Sequence, residues 1–188
     1  MGDSNNINTI ILGVGNILLG DEGIGIHTIK KLKEEKRPPG ILLIDGSTAG
    51  FRLLPIFETY KNCRFIIIDA LKISCDSCHN INFNTRNTEN KKNIPAKGSI
   101  YIIPLNDLYD IIDSRHRDRD FISFHQTELI DVLKLFRLTH NMKIDGFLIG
   151  INIGDNNKSD KPIAFSMELS SVIEKKIPEI IKLIKKYI

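Results

Sequence analysis

The sequence has few cysteines, little net charge and no long apolar run, and each of these shortages excludes a class of protein. Three cysteines in the whole chain fit a reducing cytosol better than a secreted disulfide framework. The 26 basic and 23 acidic residues are spread along the chain and leave a net charge of +3, without the clustered basic face that binds nucleic acid. Apolar stretches such as 65–68 are too short to span a bilayer, and the opening MGDSNNIN has no signal-peptide pattern. We therefore expect a cytoplasmic protein without nucleic-acid or membrane partners.

What the chain does contain is enough apolar sequence for a core, in which apolar runs alternate with helical patterns. Hydrophobic residues make up 41% and charged residues 26% of the 188 residues, which suits a single domain over residues 1–188. The alternation predicts an α/β sandwich around a mainly parallel sheet of about five strands. The predicted strands are 7–14, 41–44, 64–68, 99–103 and 147–153. The predicted helices are 24–36, 51–60 with a kink or start at Pro55, 124–138 after a capping box at Ser123, and 167–187 with a break at Pro178.

Residues 72–98 differ from their surroundings, because they are rich in Asn, Lys and Thr and have no clear period. We predict that they form an inserted surface loop. Within it, Cys75, Cys78 and His79 match the C-x-x-C-H pattern of haem attachment. A zinc site that uses Cys63 or His116 is a further alternative, and our interpretation is two reduced thiols.

Polar residues cluster at the predicted ligand-binding edge of the sheet. Ligands of such sheets bind outside the carboxyl ends of the strands. Glu22 lies in the loop after the first strand, Asp69 directly follows a buried Ile-Ile-Ile run, and His125 opens a helix. Two carboxylates and an imidazole suit a divalent metal that keeps open positions for a substrate. The alternative is that Asp21 and Glu22 only offset a helix dipole, which needs no function.

The first loop also resembles a nucleotide-binding pattern. Gly13 and Gly15 begin a G-x-G-x-x-G fingerprint, but Leu18 occupies the position of the third glycine. The acidic pair that follows would repel a pyrophosphate, whereas Asp45 mimics the acid that binds a ribose. A nucleotide-binding α/β module is therefore an alternative function.

Four motifs in one order resemble the hydrogenase maturation endopeptidases, which process the large subunit of nickel-iron hydrogenases. The run Gly13–Gly25 (GVGNILLGDEGIG) is similar to that family's opening motif, G-x-G-N-x-L-x-x-D-(D/E)-x-x-G. It is followed by D-G-S-T-A-G from Asp45, by D-A at Asp69 and by H-Q-x-x-L from His125. Ser47 and Glu128 depart from the family pattern, since glycine is usual at both positions.

The resemblance implies a three-layer α/β/α sandwich with a twisted, mainly parallel five-stranded sheet. It also implies an endopeptidase that removes a C-terminal extension from a large-subunit precursor after nickel insertion. Glu22, Asp69 and His125 match the family's metal-contacting residues, and the nickel would arrive with the precursor. Asp45, in the second motif, and Glu22 are the candidate catalytic residues.

The catalytic mechanism is less defined by the sequence than the metal site. No serine or cysteine lies in a recognisable nucleophile context, and there is no H-E-x-x-H motif. An aspartic-type or metal-dependent hydrolysis is therefore the hypothesis. A non-catalytic chaperone that binds the precursor with the same fold is the remaining alternative.

Overall fold

The structure is a computed structural model, and part of the chain is described in it. The described residues are 7–48, 50–72, 96–113, 124–154 and 165–188, with side chains described except at 110–113 and 124–128. Most of the predicted inserted loop lies outside this description, as do Cys75, Cys78, His79 and His116. The single domain, the loop and the cysteine interpretations therefore stay predictions. Among the described helices, none combines the length and the apolar character that a membrane span requires.

Five strands form one mixed, mainly parallel sheet, as the sequence predicts. They are β1 (Thr9–Gly13), β2 (Ile41–Asp45), β3 (Arg64–Leu71), β4 (Ile100–Pro104) and β5 (Gly146–Asn152). Their order across the sheet is β2-β1-β3-β5-β4. All neighbours pair in parallel except β4, which runs antiparallel to β5 at the edge. The central strands are buried on both faces, as their unbroken runs of isoleucine and leucine require.

Helices cover both faces of the sheet and enclose one apolar core on each. They are α1 (Ile24–Lys33), α2 (Leu54–Thr59), α3 (Leu105–Asp113), α4 (Phe124–His140), α5 (Ser171–Glu174) and α6 (Ile177–Ile184). One core contains Phe57 of α2, Tyr109 of α3 and Phe136 of α4. The other contains Ile29 of α1, Ile173 of α5 and Ile180 of α6. The predicted three-layer α/β/α sandwich is therefore confirmed.

Several predicted element boundaries are wrong, such as the end of α1 at Lys33 instead of Lys36, and two of the errors concern the candidate site. The third strand does not end at Ile68, because its pairing with β5 continues to Leu71 opposite Asn152; Asp69 thus lies inside β3 and not after it. The last helical region does not begin at Met167, because backbone groups of Ser166 pair with Leu18 and Gly20 instead. Both errors come from pairing partners that are distant in sequence.

The predictions at the two prolines are confirmed. Pro55 stands in the first turn of α2, after a 3₁₀ turn over Gly50–Leu53. Pro178 stands in the first turn of α6. Proline is favoured there because its fixed φ suits a helix start and its missing N–H is not needed. The predicted start of α4 at Phe124 is also confirmed, whereas the predicted cap Ser123 lies outside the described residues.

Candidate functional site

The carboxyl ends of four parallel strands meet at one edge of the sheet, where the candidate residues are concentrated. Gly13 of β1 is in register with Asp45 of β2 on one side and with Ile68 of β3 on the other. Asp69 therefore lies one residue beyond the position on β3 that is in register with Gly13. The predicted acids of the second and third motifs thus share an edge, although β1 separates their strands.

The 3₁₀ turn Gly20–Gly23 carries Glu22 to this edge, directly before α1. The turn is packed tightly on the first loop, because a Cβ at Gly15 would collide with the carbonyl oxygen of Glu22. Gly15 also has φ of 139°, which L side chains rarely adopt. A glycine is thus required here for both reasons, which accounts physically for part of the G-x-G pattern.

Glu22 forms an ion pair that the sequence analysis did not identify. Its carboxylate oxygen Oε1 accepts a hydrogen bond from the ammonium of Lys72 at 2.6 Å. The Glu22 side chain is 13% exposed and that of Lys72 is 33% exposed. Lys72 is the first residue after β3, so the pair joins the Glu22 turn to the strand that contains Asp69.

The preceding acid, Asp21, has a different set of partners. Its carboxylate accepts hydrogen bonds from the backbone N–H of Ser170 at 2.6 Å and from the Ser170 hydroxyl at 2.8 Å. It also forms an ion pair with Lys97 at 2.7 Å. Asp21 is buried, and these contacts fasten the turn to the residue before α5. The role of Asp21 is therefore structural, because its contacts hold the turn in place.

No short-range pattern could have found these partners. Lys72 is separated from Glu22 by 50 positions, and Ser170 from Asp21 by 149 positions. Helical and strand periodicities report neighbours within one element. The acids themselves were detectable as a motif, whereas the cations and the serine that bind them were not.

Asp69 is buried within β3, where it is 1% exposed. Its Oδ1 accepts a hydrogen bond from the backbone N–H of Ala70 at 2.8 Å. Side chains alternate along a strand, so Asp69 shares a face with Phe65, Ile67 and Leu71. Those three belong to the core that also contains residues of α4. Asp69 therefore faces the helix layer in which His125 is found.

His125 is the second residue of α4, and its side chain lies outside the described residues. Within the described residues, no group of three or more His, Cys, Asp and Glu side chains could hold a metal ion. Two of the predicted ligands, Glu22 and Asp69, are described, and both are linked to the carboxyl end of β3. The complete ligand set stays a prediction.

Asp45 is exposed at the end of β2 and accepts a hydrogen bond from the backbone N–H of Ser47 at 2.9 Å. The preceding residue, Ile44, packs against the core that covers the face of the sheet on which Asp69 lies. Alternation along β2 therefore puts Asp45 on the opposite face of the sheet from Asp69. The structure thus brings Asp45 to the same edge but not to the same side, and its catalytic role stays a prediction.

Comparisons with known proteins identify related sequences. No protein-family model matches the chain. The Hydrogenase 2 maturation protease of Escherichia coli K12 is 30% identical over 143 residues, which is 76% of this chain and 71% of that protein. The hydrogenase expression/formation protein HupM of Azotobacter chroococcum is 28% identical over 80% of this chain and 58% of its own length. The HupD protein of Rhodobacter capsulatus is 36% identical over 63 residues, only 29% of its length.

Solved structures show the same fold. The hydrogenase maturating endopeptidase HybD from E. coli superposes with a TM-score of 0.61 at 25% identity, over 94% of this chain and 89% of that one. A [NiFe] hydrogenase maturation protease, HybD from Thermococcus kodakarensis, gives a TM-score of 0.63 at 21% identity, over 96% and 98% of the two chains. The sequence match over most of the chain and the shared architecture together show that this chain belongs to the hydrogenase maturation protease family.

Proposed function

We propose that the chain is an endopeptidase that removes a C-terminal extension from the precursor of a nickel-iron hydrogenase large subunit. The observation that carries this proposal is membership in the family, combined with two acids of the family motifs at the carboxyl end of β3. Ligands of parallel sheets bind at that edge. We propose that the enzyme acts on this precursor in the cytoplasm.

We propose that Glu22, Asp69 and His125 contact nickel that is already bound in the precursor. The donor set fits this role, since imidazole nitrogen suits nickel and carboxylate oxygens can complete its shell. The environment of Glu22 fits as well, because its carboxylate already binds a cation, the ammonium of Lys72. Nickel in the substrate would be the feature that the enzyme recognises, and it would also orient the precursor in the site. Cleavage would then follow only on a metallated precursor.

The hydrolysis itself requires a base and a water molecule. A carboxylate, either Asp45 or Glu22, would take a proton from the water as it attacks the scissile carbonyl. The C–N bond then breaks, and the proton passes to the leaving amine. Asp45 is exposed at the sheet edge and lies on the face that α1 covers, opposite to Asp69. A peptide that approaches the Glu22 turn from that face can reach it, which supports Asp45 as the base.

The test is cleavage of a nickel-loaded precursor by the wild type and by Glu22→Gln, Asp69→Asn, His125→Ala and Asp45→Asn. The first two changes remove the negative charge of a metal donor and the third removes an imidazole donor, so we expect a loss of cleavage of about 100-fold together with weaker binding of the precursor. Asp45→Asn should lose cleavage but keep binding. A wild type that binds the precursor but never cuts it would favour the chaperone alternative. Cleavage that survives all four changes would place the site elsewhere.

A further inference from the structure

We propose that Lys72 pairs with the Glu22 carboxylate while no metal is present, and that a divalent cation must compete with its ammonium in order to bind there. The consequence is that the site binds free metal ions weakly and favours a metal delivered by the substrate. This inference rests on the proposed function, since it takes Glu22 to be a metal-contacting residue. Lys72 is thus a specificity-determining residue that acts through Glu22.

The geometry fixes the two charges beside each other. Glu22 lies in a turn held on the first loop, and Lys72 directly follows β3. The ammonium is 2.6 Å from Oε1 of Glu22, within the distance of a charge-assisted hydrogen bond. A cation at that position competes for the lone pairs that a metal would use. It also repels a second cation at the same carboxylate, which weakens metal binding.

The exposure of Lys72 allows it to leave. Its side chain is 33% exposed, against 13% for Glu22, and a lysine has a flexible stem and a compact charge. When the ammonium moves into water, it regains its hydration, and the partly buried carboxylate remains in place. A change of the lysine side chain alone therefore breaks this ion pair.

A metal that is already partly coordinated has an advantage over a free ion at such a site. A free ion gains only the few donors that the protein offers and must compete with Lys72 for one of them. A metal held by the precursor arrives with its other ligands, and the contacts around the cleavage site add to the binding energy. The ion pair therefore discriminates between loaded substrate and free metal.

The adjacent pair of Asp21 and Lys97 provides a matched control. It is also a pair of a lysine and a carboxylate, with Nζ of Lys97 2.7 Å from Oδ2 of Asp21. The Lys97 side chain is 37% exposed, which is similar to Lys72. Asp21, however, is also bound by two groups of Ser170 and is not a proposed ligand. Removal of Lys97 therefore takes away a nearby lysine without freeing the Glu22 carboxylate.

The test is calorimetric titration of the metal-free protein with Ni²⁺. Lys72→Met should bind Ni²⁺ about tenfold more tightly than the wild type, because one competing positive charge is gone. Lys72→Arg keeps the charge and should bind as weakly as the wild type, and so should Lys97→Met. Adding Glu22→Gln to Lys72→Met should abolish the gain. Melting temperatures without metal would establish that each variant is folded.

Two results would overturn the proposal, and only the second would also refute the metal-binding role of Glu22. If Lys72→Met binds Ni²⁺ no more tightly than the wild type, while Glu22→Gln still weakens binding, Lys72 does not compete and the metal role of Glu22 stands. If Glu22→Gln changes Ni²⁺ binding in no background, or no variant binds Ni²⁺ at all, the metal role of Glu22 fails together with that of Lys72.

Discussion

Asp21 and Glu22 are adjacent carboxylates that the fold treats differently. Asp21 is bound by a backbone N–H and a hydroxyl of Ser170 in addition to Lys97. Backbone donors do not exchange readily, so Asp21 fastens the turn in place. Glu22 is bound by a side chain that is one-third exposed to water. Asp21 is thus suited to hold the loop, whereas the lysine that pairs with Glu22 is exposed enough to move away.

His27 on α1 is a second residue whose surroundings have a measurable consequence. Burial lowers its pKa from 6.5, the charge of Lys30 lowers it further, and a hydrogen bond to the Met167 backbone and the charge of Glu174 oppose the shift more weakly. Among the residues that the structure describes, none forms a hydrogen bond with its buried Nε2. The native state therefore resists a protonation that the unfolded chain accepts, which costs stability as pH falls below about 6.5.

The prediction is that His27→Gln makes the protein less sensitive to acid. The wild type should lose stability between about pH 7.5 and about pH 5.5, whereas the variant lacks the titrating group and should lose less. The measurement is urea unfolding at both pH values. An equal loss in the two proteins would show that His27 does not contribute to the pH dependence.

At the scale of elements, the packing of α1 against the sheet determines where the site lies. A Cβ at Gly25 would meet the carbonyl oxygens of Val14 and Ile68, and one at Gly13 would meet the carbonyl of Gly25. These are backbone atoms, which cannot turn aside as a side chain can. The first turn of α1 therefore rests directly on the ends of β1 and β3, and it carries the Glu22 turn with it.

We predict that Gly25→Ala destabilises the protein by about 3 kcal/mol, because α1 must shift away from the sheet. Urea unfolding would measure this loss. Lys30→Ala is the control on the same helix, where the side chain is exposed and the expected change is within about 0.5 kcal/mol. If the two variants were equally stable, the close approach of α1 to the strands would be refuted.

The elements that the sequence predicted well are those with strong local patterns. β1 and β2 are isoleucine- and leucine-rich runs that end in glycine or aspartate, and the prolines mark the starts of α2 and α6. The end of β3 was missed because aspartate is disfavoured in strands, while pairing with β5 overrides that preference. Residues 167–170 were wrongly predicted to be helical, because the contact that holds Ser170 comes from the distant Asp21.

The same division applies to the site. The acids could be found because they form motifs at the ends of predicted strands. Lys72 lies at the start of the segment that the sequence analysis assigned to a loop, where lysines are common. Only the fold shows that its ammonium reaches Glu22. Motifs thus identify candidate ligands, whereas the charges that compete for them depend on tertiary contacts.

At the scale of the whole molecule, the two helix layers bring residues from distant motifs to one edge of the sheet. Glu22 precedes α1 on one side, and Asp69 faces the core of the α4 layer on the other. Under the proposed function, a precursor tail that enters at this edge would contact both layers. Recognition of nickel between them would couple cleavage to the metallation of the partner, which is the central claim.

The most direct measurement of that claim is the intact mass of a large-subunit precursor after incubation with the wild-type protein. Two samples of the same precursor, one loaded with nickel and one nickel-free, are compared under identical conditions. We predict that only the nickel-loaded sample loses the mass of its C-terminal extension. Equal cleavage of both samples, or of neither, would contradict the claim.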